Sequence, residues 1–382
     1  MAVGGVEKSA FPTLFSGMNT TIFYETDMND SVFDKLINEI KEKKNRYDEK
    51  SLNDDILICD GMNTFLRGFH VNPASNEDGV HIGGIVGFLN SLGYAIKRFN
   101  PTRCIVVFDG EGGSYRRKQI YSEYKAGRSK TTTSNRFYQF HNDPEAIVED
   151  KNREISRVAE YLQCLPVTFV MINKIEADDV IAYIATDIYN GPDHNIKIMS
   201  TDKDFLQLVN ENVHVWRPTE KKLYTPDVVK EKYEIPANQF MLLRTIEGDS
   251  SDNIPGVPYV GKKRVKKSLK ELINKDKRQS VDEIIQYASK RTDESTTYQR
   301  IVDNQDVIER NWRLMQLHEV DISLSKMNEV RSAVEDVDCS LDRICFERMY
   351  REDKLWKVIQ NAQTWLSERF SKLSRFSNKN NS

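Results

Sequence analysis

Four short apolar segments, each followed within a few residues by carboxylates, constrain the fold of this chain more than any other feature. They read "DDILICDGMN", "RCIVVFDGEGG", "VTFVMI" and "NIKIMSTDKD". Helix-period segments such as "GGIVGFLNSLGYAIKRF" and "EISRVAEYLQCL" separate them. Strands that are apolar throughout and alternate with helices predict an α/β fold with a mainly parallel central sheet flanked by helices. In such sheets, ligands collect beyond the carboxyl ends of the strands.

Carboxylates stand at those predicted strand ends. The first strand ends at Asp60, the second ends at Asp109, and "KIEADD" follows the third. A single acid at such a place is usually a turn residue or a helix cap. Acids from several segments at one edge would repel one another unless a cation lay among them. The predicted metal ligands are Asp60, Asp109, Glu176, Asp178, Asp179, Asp202, Asp204, Asp249 and Asp252.

An all-oxygen ligand set favours a hard cation. No His or Cys keeps ligand spacing with these acids, so we expect Mg²⁺, with Mn²⁺ as a possible substitute, and the acids suffice for two ions. Two ions can clamp the attacking and leaving oxygens in phosphodiester cleavage. A calcium loop is disfavoured, because no D-x-D-x-D-G pattern with a twelfth-position Glu occurs. The Gly-rich "HIGGIVGF" and "DGEGG" match neither a Rossmann fingerprint nor a Walker loop.

Positive charge is concentrated in two stretches, although the 382-residue chain carries a net charge of −3. Residues 97–130 hold nine Lys/Arg against three acids, and residues 262–278 hold nine against two. Basic patches on a mildly acidic body suggest a polyanion held at defined places. A solvated lysine face is the alternative for each stretch.

The remaining composition describes a globular chain without a membrane span. Hydrophobic residues make up 39% and charged residues 30%, and no apolar run reaches about 18 residues. The start, "MAVGGVEKSAFPTLF", does not resemble a signal peptide. The five cysteines lack a CxxC pair, so we expect reduced core thiols in a cytoplasmic protein and neither a disulfide frame nor a zinc site.

Five motifs in order resemble the signature blocks of the 5′-nuclease family. They are "ILICDGMNTFLRGF", "VVFDGEGGSYRRKQIYSEYKAGR", "IEADDVIAYIA", "STDKDFLQLV" and "GDSSDNIPGVPYVGKKR". The resemblance extends from about residue 54 to about residue 325, and the chain looks most like the stand-alone ribonuclease H enzymes of phages. It implies a flap endonuclease or 5′-3′ exonuclease with ribonuclease H activity that removes RNA primers in DNA replication. A non-catalytic branched-DNA binding protein and a PIN-like ribonuclease are the alternatives.

The resemblance also assigns roles to basic residues. Lys125 and Arg128 match the residues that reach the scissile phosphate, where they would offset developing charge. The positions expected to bind DNA are Arg116, Arg117, Tyr124, Lys262, Lys263, Arg264, Lys266 and Lys267. Residues of about 115–155 would form the family's arch, in which aromatic residues at 137–141 could stack on a threaded strand or hold the arch together.

The last motif resembles the family's helix-three-turn-helix, which binds the duplex backbone without reading base sequence. Its hairpin departs from the usual G-hydrophobic-G, since Tyr259 stands where a glycine is common. Losing that glycine removes easy access to positive φ and puts the family's K⁺ site at this hairpin in question.

Four parts of the chain are therefore predicted. Residues 1–50 form an N-terminal extension, 51–240 the nuclease α/β domain, and 241–325 the DNA-binding subdomain. Residues 326–382 form a C-terminal helical extension with a disordered tail, which either completes the helical subdomain or docks a single-strand-binding protein or sliding clamp. The substrates would be DNA with a 5′ flap or 5′ end and RNA/DNA hybrids, and the protein would act as a monomer.

Overall fold

A six-stranded sheet organises the structure, a computed structural model that describes Lys35 and residues 50–126, 135–139, 143–335 and 339–377. The strand order is β3-β2-β1-β4-β5-β6. Neighbouring strands from β3 to β5 are parallel, and β6 runs antiparallel to β5. The strands are β1 (Asp55–Asp60), β2 (Arg103–Asp109), β3 (Thr168–Ile172), β4 (Asn195–Met199), β5 (Val213–Arg217) and β6 (Lys222–Tyr224). The prediction of a mainly parallel sheet flanked by helices is confirmed.

Helices connect the strands and continue beyond the sheet. Up to β6 they are α1 (Gly61–Val71), α2 (Gly83–Phe99), α3 (Tyr115–Ile120), α4 (Pro144–Gln163) and α5 (Ala177–Tyr183). After β6 they are α6 (Pro226–Tyr233), α7 (Phe240–Glu247), α8 (Lys262–Ser268), α9 (Lys270–Ile273), α10 (Val281–Ser289), α11 (Thr296–Asp303), α12 (Gln305–Met315), α13 (Leu324–Glu335), α14 (Arg343–Glu352), α15 (Ala362–Phe370) and α16 (Ser374–Ser377). A two-residue ribbon, β7 (Gly248–Asp249) with β8 (Ile254–Pro255), follows α7.

The central strand β1 supplies both cores of the protein. Ile56 and Ile58 point to one face, where they join a core that includes residues of α5, α7 and α13. Leu57 and Cys59 point to the other face and join a core built with α1, α2 and α4. Successive side chains of a strand point to opposite faces, so a strand that is apolar at every position needs a helical layer on each side.

The C-terminal helices pack on the nuclease sheet layer. Phe346 in α14 and Leu366 in α15 are buried in the same core as Leu57 and Phe65. The expectation that this segment completes the helical subdomain was therefore wrong for α14 and α15. Sequence patterns show that these helices are amphipathic but not which surface covers their apolar faces.

One pair of cysteines departs from the prediction of reduced thiols. Cys164 at the end of α4 and Cys345 in α14 form a disulfide, with Cα atoms 6.0 Å apart and 181 positions between them in sequence. Cys59, Cys104 and Cys339 are free. The disulfide connects the C-terminal helices to the helical layer that they cover.

The described residues from Ser51 onward form one compact unit. The boundaries predicted at 240 and 325, and the helix-three-turn-helix assignment, stay predictions. The predicted N-terminal extension, apart from Lys35 and Lys50, and the tail from residue 378 lie outside the described residues. Within the described part of the chain, no helix is both long enough and apolar enough to cross a membrane.

Candidate metal centre and nucleic-acid interface

Asp60 lies at the carboxyl end of β1 and is held by two neutral donors. Its carboxylate accepts a hydrogen bond from the N–H of Asn63 (3.0 Å), so that Asp60 caps the start of α1. It accepts a second hydrogen bond from Ser200 Oγ (2.8 Å), just after β4. Burial raises the pKa of Asp60 to about 7, although these two hydrogen bonds oppose the shift. The negative charges of Asp109 and Asp202 add to the increase, so the ends of three adjacent strands are electrostatically coupled.

The start of α5 brings a further acid, Asp178, to this edge. The N–H of Ala177 donates to Asp109 Oδ1 at 2.8 Å, which fixes the start of α5 against the end of β2. Asp178 follows in the first turn of the helix. Burial raises its pKa well above the ordinary value, and the charges of Asp202 and Asp60 raise it further. Asp60, which is buried, and the half-buried Asp109, Asp178 and Asp202 thus form a group of mutually repelling carboxylates.

Glu176 is surrounded by donors from the segment after β2. It accepts hydrogen bonds from Arg117 Nη1, from Tyr124 Oη (3.0 Å) and from Lys125 Nζ (2.9 Å). Burial alone would raise its pKa, but Arg117 and Lys125 hold the pKa below the ordinary value. The Lys125 backbone has φ +57°, and its N–H donates to the Asp252 carbonyl at 2.8 Å.

Asp179 is paired with two arginines. Arg117 Nη2 donates to its carboxylate at 2.9 Å and Arg116 Nη2 at 3.2 Å. The side chain of Arg117 is only 3% exposed, and its Nε also donates to the Leu314 carbonyl. Arg117 thus crosslinks the start of α5 to the end of α12.

Arg244 is a functional residue that the sequence interpretation missed. It lies in α7, and it bridges Asp204 (Nε to Oδ1, 2.6 Å) and Asp249. Burial raises the pKa of Asp204 to about 7 against the opposing charge of Arg244. The available signal was one arginine inside the apolar run "FMLLRTIE", because a charged residue in a buried helix is rarely without an acidic partner.

Seven of the nine predicted acids therefore divide into two groups. Glu176, Asp179, Asp204 and Asp249 have basic partners. Asp60, Asp109 and Asp202 accept hydrogen bonds from neutral donors. Among the described residues, no three His, Cys, Asp or Glu side chains stand together as a ready-made metal site. The donor chemistry nevertheless fits Mg²⁺ or Mn²⁺, because buried oxygen ligands that repel one another are stabilised by a hard cation.

Two residues predicted to bind DNA take a different place. Arg117 and Tyr124 are each 3% exposed, and both donate to Glu176. Their polar groups are already used by carboxylates, so they position acids and do not reach a phosphate in this arrangement. Burial of these side chains depends on α12 and the turn at Asp252, which no local pattern reveals.

The other predicted basic residues lie at the carboxylate cluster and in α8, except for Arg128. Lys125 is at the carboxylate cluster, and Arg116 joins Asp179 to the exposed Asp321. Arg128 lies outside the described residues. The last set lies in α8, where Lys263, Arg264 and Lys267 are exposed and Lys262 and Lys266 are half-buried.

Two of the aromatic residues predicted to stack on a threaded strand, Phe137 and Tyr138, pack inward. Tyr138 is buried, with its ring 5.9 Å from that of Phe69 and 5.1 Å from that of His81. Phe137 also contacts the His81 ring, at 4.8 Å. Of the two interpretations left open, these contacts favour residues that hold the arch together. Residues 127–134 and 140–142 lie outside the described part.

Known proteins are similar to this chain in sequence and in fold. Residues 55–234 match the family model described as "5′-3′ exonuclease, N-terminal resolvase-like domain". The 5′-3′ exonuclease of Aquifex aeolicus is 32% identical over 217 residues, which cover 56% of this chain and 69% of that protein. The chain belongs to the 5′-3′ exonuclease family. DNA polymerase I of Bacillus subtilis is 33% identical over 235 residues, 60% of this chain but only 25% of the polymerase. The chain thus spans about a quarter of the length of such polymerases.

Solved structures show that this 5′-3′ exonuclease family member shares its fold with nucleases of low sequence identity. The flap endonuclease of bacteriophage T5, solved with DNA and metal ions, has a TM-score of 0.55 at 21% identity, covering 80% of this chain and 100% of that one. Human GEN1 in complex with Holliday junction DNA has a TM-score of 0.52 at 13% identity, covering 86% and 74%. At these identities the likeness concerns the fold.

Proposed function

We propose that the chain is a metal-dependent, structure-specific 5′-nuclease that hydrolyses phosphodiesters at 5′ ends or flaps. The observation that carries the proposal is the cluster of coupled carboxylates at the ends of β1, β2 and β4 and the start of α5. Asp60 and Asp178 have raised pKa values there because burial and neighbouring acids disfavour their charged forms. Family membership agrees with this chemistry, and DNA and metal ions accompany the T5 flap endonuclease in its structure.

The metal ligands we propose are the nine acids named above, with two Mg²⁺ ions and with Mn²⁺ as a substitute. When bound, such ions lower the pKa of a water and stabilise charge on a phosphodiester. The protein's own contribution is to hold the ligands apart in a buried site. Arg117 fixes Glu176 and Asp179 from one side, and Arg244 fixes Asp204 and Asp249 from the other.

Lys125 is the proposed phosphate-contacting residue of the described cluster. Its ammonium group lies 2.9 Å from Glu176 Oε1, and its side chain is 20% exposed, so it lies at the boundary between the carboxylates and solvent. A cation in that place can offset negative charge that develops on a phosphoryl group. Arg128 is proposed for the same role on the strength of its motif alone.

The finer features of the substrate and the setting are also proposals. The motif resemblance supports ribonuclease H activity on RNA/DNA hybrids and removal of RNA primers in replication, in the cytoplasm of a cell or of a phage host. The exposed basic residues of α8 support duplex binding. A monomeric state is also proposed, as is docking of a single-strand-binding protein or sliding clamp by the C-terminal extension, which lies outside the resemblance.

The deciding experiment is cleavage of a 5′-labelled flap substrate with Mg²⁺ by the wild-type protein and by Asp202→Asn. We expect short labelled products from the wild type and a loss on the order of 100-fold in the variant, with DNA binding retained. Asp227→Asn is the matched control, because Asp227 is an exposed acid at the first turn of α6. Tight flap binding without cleavage in Mg²⁺ or Mn²⁺ would refute the enzyme and leave a junction-binding protein.

A further inference from the structure

The turn before α8 holds a tyrosine in a backbone conformation that normally requires glycine. The N–H of Val260 donates to the carbonyl of Val257 at 3.1 Å, which closes a four-residue turn with Pro258 and Tyr259 at its centre. Tyr259 has φ +61°. A turn with proline at its second position and positive φ at its third is usually completed by glycine or asparagine, and a bulky residue there is strained.

Folding does not account for the choice of tyrosine at this position. Val257 and Val260, on either side, are buried and anchor the turn in the core. The Tyr259 side chain is 79% exposed, so it adds little apolar burial to offset the backbone strain. Strain that is retained at an exposed position is a recognised mark of a functional residue.

One basic side chain contacts the ring, and others lie near the turn in sequence. The Arg300 guanidinium lies 4.9 Å from the ring centroid, within the range of a cation–π contact. Arg264 donates to the Tyr259 carbonyl, which fixes the turn to α8. Lys263 and Lys267 of α8 are exposed close by in sequence. An exposed aromatic ring with a basic rim is the arrangement by which proteins stack on nucleobases while holding the phosphate backbone.

We propose that Tyr259 is a nucleic-acid contact residue whose ring stacks on a nucleobase of the bound substrate. The inference rests on the proposed function, because it takes the ligand to be a polynucleotide, and it adds a specific contact that the acidic cluster does not require. Arg264 and Arg300 hold the turn and the ring in place, and the exposed lysines of α8 neutralise the neighbouring phosphates. The base could belong to the duplex arm or to the single-stranded flap, and the test separates the two.

The test compares Tyr259→Gly and Tyr259→Phe with the wild type in binding a fluorescent 5′-flap DNA in EDTA, where no cleavage occurs. Glycine suits the turn, so we expect this variant to melt at or above the wild-type temperature. We expect its Kd to rise roughly tenfold, with the slope of log K against log salt unchanged because no phosphate contact is lost. Tyr259→Phe keeps the ring and is expected to bind like the wild type.

A fluorescent base analogue identifies the stacked base. 2-Aminopurine is placed in the duplex arm of one substrate and in the flap of another. The substrate in which wild type quenches the fluorescence and Tyr259→Gly does not is the one that carries the stacked base. Tyr94→Ala serves as the control, since Tyr94 is an exposed tyrosine on α2. Wild-type Kd in Tyr259→Gly, or a weaker Kd with a smaller salt slope, would overturn the inference. If wild-type protein neither binds nor cleaves flap DNA, the proposed function itself fails.

Discussion

The buried carboxylate of Glu154 gives the sharpest stability prediction. Glu154 lies in α4 and is fully buried, with Oε1 2.6 Å from His81 Nδ1. Oε2 accepts hydrogen bonds from the N–H groups of Gly84 (2.8 Å) and Ile85 (3.0 Å) in the first turn of α2. The N-cap residue of that helix, Ile82, provides no side-chain hydrogen bond. Glu154 therefore caps α2 from another helix, about 70 positions away in sequence.

Glu154→Ala removes this cap and leaves His81 without its acidic partner. Breaking a buried pair costs about 3–5 kcal/mol, of which the lost cap accounts for about 1 kcal/mol. Because native proteins are stable by only about 5–15 kcal/mol, the variant would lose a large share of its stability. In a chain of this size, we expect the melting temperature to fall by about 5 °C.

Urea unfolding of the wild type, Glu154→Ala, Glu154→Gln and Glu149→Ala measures the effect. The Gln variant keeps one acceptor oxygen and should lose an intermediate amount. Glu149 is exposed on the same helix, so its replacement should change the free energy of unfolding by less than about 0.5 kcal/mol. A loss below about 1 kcal/mol for Glu154→Ala would refute the reasoning, since neither the buried pair nor the remote cap could then be important.

Three further predictions follow from other parts of the molecule. Phe346→Ala should lower the free energy of unfolding by about 3–5 kcal/mol in urea titrations, since the ring is buried against Tyr161 (centroids 5.1 Å apart); a loss below about 1 kcal/mol would mean that α14 is not part of the core. Lys263→Ala and Lys267→Ala should each reduce the salt slope of DNA binding by about 0.9 in anisotropy titrations, and unchanged slopes would exclude phosphate contacts. Burial, assisted by Arg278, lowers the pKa of His318 to about 4, below its unfolded value of about 6.5. The unfolded state then binds more protons, so stability falls as the pH drops from about 6.5 to 4, and wild type should lose about 2 kcal/mol more than His318→Gln between pH 7 and pH 5; equal losses would contradict this.

Local patterns were sufficient for the strands and for the acids that follow them. Asp60 and Asp109 are the last residues of β1 and β2 in the structure, as the apolar runs predicted. The end of a strand is set by residues close to it in sequence. Parallel strands then end at the same edge of their sheet, where ligands bind. The left-handed conformation of Tyr259 was not foreseen, because the loss of a glycine suggested that positive φ would be hard to reach there, yet Tyr259 has φ +61°.

The sequence did not reveal which residues far apart in the chain contact one another. Arg117 and Tyr124 were expected on the DNA surface, yet α12 and the acids of α5 bury them. Cys164 and Cys345 are 181 positions apart, and five cysteines allow many pairings. An amphipathic helix shows that one face will be covered but not by what, which is why the docking surface of the C-terminal helices emerged only from the fold.

The balance of charge at the sheet edge connects these observations. Nine carboxylates were predicted there, and four basic side chains contact members of that set: Arg116, Arg117, Lys125 and Arg244. If all nine are ionised, this count leaves an excess of five negative charges at the edge, which favours the binding of further cations. Two divalent ions would reduce the excess to one, and one ion would leave three. Protonation of carboxylates is the other way to lower the excess negative charge. Burial already favours the protonated forms of Asp60 and Asp204, because it raises the pKa of both. The three arginines and Lys125 therefore limit the number of ions that the cluster needs, and this charge count is the physical basis for proposing two.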